Sequence, residues 1–240
     1  MAYDSLDPEL IAETVGLVSK RVGLRFPDSG LARVAQKLED VARRGRERAA
    51  WIGRPILSLR IAVGVLIAAI VLIVVAALSR MPLPRGGIQF GEFVQWLEAG
   101  INDVVLIGAA IFFLATLEGR IKRRRALAAI HELRAIAHII DMHQLDKDPE
   151  WVLPRGRDSG ILPRRQMSPF ELSRYLDYCS EMLSLAGKVA ALYIQRFDDP
   201  VALAAVNEVE DLTTGLSRKI WQKLMILYSL HEPPAAGPSS

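Results

Sequence analysis

The stretch HELRAIAHIIDMHQLDKDP, residues 131 to 149, holds three of the four histidines of the chain among four carboxylates. These are the residue types that bind divalent metals or move protons. On a helix, at about 100° per residue, His131, Arg134, His138 and Asp141 share one stripe, whereas Glu132 and His143 point elsewhere. His138 and Asp141 are therefore the candidate metal ligands, with a divalent metal as the one cofactor the residues suggest. Glu181, Glu208 or Asp211 from a facing helix would complete such a site. Arg134 on the same stripe opposes it, because a guanidinium repels the cation and competes for the carboxylate. The competing expectation is that Arg134, His138 and Asp141 form a structural polar layer in a helical bundle. The spacing is not H-E-x-x-H, and the chain carries no G-x-S-x-G, Walker A or C-x-x-C motif.

The elements that must position this stretch are set by hydrophobicity. The chain is 51% hydrophobic over 240 residues, and the excess is concentrated in two places. Residues 61–78, IAVGVLIAAIVLIVVAAL, contain no polar side chain, and their length nearly matches a hydrocarbon core of about 30 Å. Residues 101–117, INDVVLIGAAIFFLATL, form a second candidate span, which the cations Arg120, Lys122, Arg123, Arg124 and Arg125 follow. Lys122 through Arg125 are the candidate contacts to anionic lipid. The preceding FGEFVQWLEAG suits an interfacial segment.

Arginines before the first span and after the second outnumber those in the connecting loop, so both termini are expected in the cytoplasm, with the protein in the inner membrane. These cations hug the spans, which disfavours nucleic acid as a partner. The single Cys179 forms no disulfide within the chain and reads as a small core residue.

The expected fold class is an all-α membrane protein: two transmembrane helices form a hairpin, and a cytosolic helical bundle contains a long antiparallel helical hairpin. Residues 1–53 read as N-terminal amphipathic helices, with Ile11, Val15, Val18 and Val22 on one apolar face and Leu31, Val34, Leu38 and Val41 on another. Residues 54–119 form the membrane hairpin, with spans at about 56–79 and 101–118 and the loop 80–100 outside. A stalk helix covers 120–146 and a basic Pro/Gly loop 147–167, whose Arg155, Arg157, Arg164 and Arg165 suit an anionic ligand. The hairpin covers 168–231 and a disordered tail 232–240.

Within the hairpin, Ser168, Pro169 and Glu171 spell a capping box. Leu172, Leu176, Cys179, Leu183, Ala186, Ala190, Tyr193 and Phe197 then recur as a heptad seam. Asp199 and Pro200 open the next helix, whose stripe is Val206, Val209, Thr213, Leu216, Ile220, Leu224 and Leu227. Asn207, Asp211, Thr214, Arg218 and Gln222 lie opposite. With Arg134 and Trp221, the residues Asn207, Asp211 and Arg218 are the candidate interaction residues.

The segment GLRFPDSGLARV resembles the N-terminal helical part of chemotaxis-receptor methyltransferases. No glycine-rich nucleotide turn follows, so the resemblance implies no activity. The expected function is non-enzymatic: a membrane anchor for a cytosolic bundle that self-associates or binds a protein partner, as a sensor or scaffold. One alternative is a homo-oligomeric pore or transport-related protein, whose arrangement of elements is similar to two-span SLATT-type effectors. Against it, neither span has an ionisable residue in its interior. The other alternative is a metal-dependent enzyme at the membrane surface.

Overall fold

Asp7 starts the first helix, α1 (Pro8–Arg25), by accepting from the amides of Glu9 and Leu10 at 2.9 and 3.3 Å. This satisfies N–H groups that have no partner inside the helix. The computed structural model describes residues 5–80, 90–147, 149 and 167–229, and among them all regular structure is helical. Ile11, Val15, Val18 and Val22 are buried along one side of α1. After Phe26 the chain turns at Asp28, whose φ of 60° is left-handed and better tolerated by Asp than by most residues. Ser29 then accepts from the Ala32 amide at 3.0 Å to open α2 (Gly30–Gly53). Leu31, Val34, Leu38 and Val41 are all buried, as their spacing predicts.

The chain divides into two compact units, one of Met1–Gly53 with Arg125–Ser240 and one of Arg54–Arg124. In the second unit lie α3 (Leu57–Ser79) and the first part of α4 (Phe90–Leu145). Both helices are long and apolar enough to cross a membrane, and the most apolar stretch of each is entirely unburied. α4 is one uninterrupted helix of 56 residues, about 84 Å at 1.5 Å per residue. It begins at Phe90, so the interfacial segment, the second span and the stalk are a single element. No proline occurs between Phe90 and Leu145 to break it.

Glu118 ties the two apolar helices together. Its carboxylate accepts from Arg60 Nε at 2.6 Å and Nη2 at 3.5 Å, and from the Ile56 amide at 3.3 Å. Lys122 pairs with the same carboxylate at 2.8 Å.

The first unit is a bundle built around α5 (Pro169–Leu192), which packs on α1, α2 and α6 (Pro200–Ser229). The Ser168 capping box is present, with bonds of 3.2 and 2.8 Å. Asp199 Oδ1 caps α6 by accepting from Val201 and Ala202 at 3.1 and 3.0 Å. All seven residues of the α6 stripe are buried, and so is the α5 seam as far as Tyr193. A second α5 stripe, Tyr175, Tyr178, Met182, Leu185, Val189 and Leu192, is equally buried, because α1 and α2 cover the side that α6 leaves. The seam is thus an intrachain contact. Gly187 lets α6 approach: a Cβ there would lie 3.3 Å from Thr213 Oγ1.

The second part of α4 joins this core through Ala126, Ile130, Leu133, Ile136, Ala137 and Ile140. Its C-terminal carbonyls are capped from α6, where Lys223 Nζ donates to Gln144 O at 2.7 Å and Lys147 O at 3.1 Å. A cation is favoured there by the free carbonyls and the negative end of the helix dipole. Residues 81–89 of the expected outer loop, with Arg85, most of the loop 147–167, with Arg155, Arg157, Arg164 and Arg165, and the tail 232–240 lie outside the described residues, whereas 90–100 belong to α4.

Candidate functional site

The core-facing side of α4 is apolar, so the histidine stripe is left outside. His131, Arg134 and His138 are exposed and Asp141 is half-buried, which removes the polar layer expected inside the bundle. Arg134 pairs with Glu208 of α6 at 2.9 Å, and Asp141 Oδ1 accepts from Gln144 Nε2 at 2.7 Å. The helix therefore splits the stripe between two separate contacts. Among the described residues no group of three or more His, Cys, Asp or Glu is placed to hold a metal ion.

His143 has a different environment. Its ring lies against Gly30 at the start of α2, where the small residue allows a close approach. Burial holds its imidazole below the usual range, and the charges of Lys147 and Arg33 add to that while Asp146 opposes them.

Glu132, one position from His131 in sequence, is the electrostatic centre of the stretch. Its carboxylate meets Lys37 at 3.0 Å, Arg44 at 3.2 Å and Arg48 at 3.1 Å, all from α2. Burial alone would raise its pKa, but the bonds from Lys37 and Arg48 and the charges of Lys37 and Arg44 outweigh that and hold it low. Beside this cluster Arg125 stacks on the Trp51 ring at 3.9 Å. Of the four cations read as lipid contacts, Lys122 is engaged by Glu118 and Arg125 by Trp51. Arg124 is exposed and Arg123 is half-buried. Arginines that look like a uniform basic belt are thus largely paired, Arg43 with Glu39 and Arg46 with Glu9 among them.

A partner-sized surface is found on the other side of the bundle. A groove of about 680 Å³ runs over α5 between α1 and α6, floored by the buried Val18, Leu185 and Leu224, with Trp221 61% exposed at its edge. Among its charges Arg21 pairs with Glu181 at 3.4 Å and Arg174 with Asp177 at 3.1 Å, while Lys188 donates to Ser184 Oγ at 2.7 Å. Of the other interaction candidates, Asn207, Asp211 and Arg218 are exposed along α6. Such a groove can bind an apolar or amphipathic segment, where an exposed Trp is a usual anchor.

Compared with known proteins, the chain matches no family model, no curated protein and no solved structure. Function must therefore be argued from the geometry alone. Glu118, Glu132 and Lys223 were not legible as organising residues, because each acts on a segment far away in sequence. The one local hint is that Glu132 is an acid on a helix next to a cation-rich one.

Proposed function

We propose that this chain is a membrane-anchored, non-enzymatic helical bundle that acts by self-association or by binding a protein partner. The observation that carries this reading is the contrast between two kinds of helix surface. No residue in the most apolar stretches of α3 and α4 is buried within the chain, whereas the bundle helices bury their apolar stripes. An unburied apolar surface of that length is stable in hydrocarbon and costly in water. The bundle then presents Trp221 and its groove as surface for binding. The positive-inside distribution of Lys and Arg supports an inner-membrane location with both termini in the cytoplasm.

The test is extraction of the full-length protein into lipid nanodiscs directly from cell membranes, followed by mass measurement. Resistance to alkaline carbonate, together with discs holding two or more copies or a stoichiometric partner, is the expected result. A carbonate-soluble protein would overturn the anchor, and discs with one copy and no partner would overturn the binding role. Ser5→Cys should react with a membrane-impermeant maleimide only from the cytoplasmic side.

A further inference from the structure

The α5 seam is covered by α6, so self-association needs another surface, and α1 has one. Opposite its buried face, Leu10, Leu17 and Leu24 recur every seven residues and are 60%, 55% and 76% exposed. Isolated exposed leucines are ordinary, but three in register on one helix face form a stripe. Beside them run Gly16 and Gly23. A Cβ at Gly23 would meet nothing within 4 Å, and one at Gly16 only the Glu39 carboxylate at 3.4 Å. The two glycines line a trough of about 510 Å³ between α1 and α2. Glu13 and Lys20 lie on this same face, and neither has an ion-pair partner among the described residues.

We infer that α1 is the contact surface for a second copy of this chain, packed antiparallel about a two-fold axis. One register brings Glu13 of each chain opposite Lys20 of the other. That register also places Leu17 over Gly16 and Leu10 over Gly23 of the other copy, so leucines enter the trough that the glycines leave open. Leu24 falls opposite Glu9 at the two ends of the contact. Charge match and shape match thus select the same alignment, and the contact is self-complementary, as a two-fold interface must be. A parallel pairing would set Glu13 against Glu13 and Lys20 against Lys20, which is repulsive. A single helix face is small beside the roughly 1,200–2,000 Å² of a stable interface. Confinement of both copies to one membrane raises their effective concentration and offsets this, so the inference rests on the anchored, self-associating reading above.

The experiment is cysteine cross-linking of the full-length protein in native membranes, in a Cys179→Ala background. Glu13→Cys and Lys20→Cys, co-expressed on differently tagged chains, should form a disulfide between tags when the isolated membranes are treated with copper phenanthroline as oxidant, while each variant alone should not. Cross-links of each variant with itself would overturn the antiparallel register, and no cross-link in any combination would overturn the surface. As a second readout in nanodiscs, Glu13→Lys or Lys20→Glu should weaken the dimer roughly tenfold, and the double swap should restore it. Leu17→Glu should abolish it. A dimer that survives Leu17→Glu would refute the α1 contact and leave self-association standing, whereas wild-type discs with a single copy would refute both.

Discussion

Tyr193 is 1% exposed, and its buried hydroxyl lies beside the Arg48 guanidinium without making a hydrogen bond of good geometry. The hydroxyl sits 3.2 Å from where a Cβ would stand at Gly45, so the helix leaves no space for a water between them. A buried unpaired hydroxyl costs free energy. Tyr193→Phe is therefore expected to leave the bundle as stable or to stabilise it by up to about 1 kcal/mol, measured by urea denaturation. A loss of more than that would mean the hydroxyl has a satisfied role. Glu132 and His143 define the pH response. Both pKa values are held low in the fold, so both favour the folded state above their unfolded values and lose that contribution as pH falls. Stability should drop first between about pH 7 and pH 5, across the imidazole range, and again below about pH 4.5, across the carboxylate range. His143→Gln should flatten only the first step. A wild-type bundle whose stability rises on acidification would contradict the assignment.

Among the elements, α4 depends most on its neighbours. Its apolar stripe is buried by the bundle, its end is capped from α6 by Lys223, and its acids Glu118 and Glu132 collect cations from other segments. Lys223→Met keeps the side-chain length but removes the donor, which leaves the carbonyls of Gln144 and Lys147 without that cap. A cost of about 1–2 kcal/mol is expected, with faster amide exchange confined to the last turns of α4. Unchanged exchange there would show that the cap is dispensable. The arginine-rich end of α2 illustrates how an element's appearance changes on folding. In sequence its arginines read as a positive-inside topology signal, but folded it has Arg44 and Arg48 on Glu132 and Arg46 on Glu9. Pairs this exposed are individually weak, and their main effect is to orient α2 against its neighbours.

At the scale of the whole molecule, the proposed membrane anchor would set the two units in different solvents. The bundle is held by a buried aqueous-type core, whose loss urea promotes, while helices in hydrocarbon keep their backbone bonds because no water is there to replace them. Urea added to the protein in lipid discs should therefore remove the helicity of the bundle in one cooperative transition and leave a plateau from α3 and the span of α4. Complete loss of the circular dichroism signal in that transition would argue against the membrane assignment.

Local and periodic features were legible without coordinates. The Asp7, Ser168 and Asp199 caps, the buried faces of α1, α2, α5 and α6, and the two apolar helices all follow from residues within a few turns of one another. Helix periodicity and capping are short-range physics, so one chain suffices to show them. Tertiary structure alone decided which stripe faces which. Periodicity groups His131, Arg134, His138 and Asp141 on one side of a helix but carries no information on whether that side meets core or water. The apolar residues of α4 outcompeted them for the interior, because burying an unpaired charge costs far more than exposing it. The same competition buried the heptad seam of α5 and left the leucines of α1 uncovered. Long-range pairing of Glu118, Glu132 and Lys223 likewise emerged only once hydrophobic packing had brought distant segments within hydrogen-bond reach.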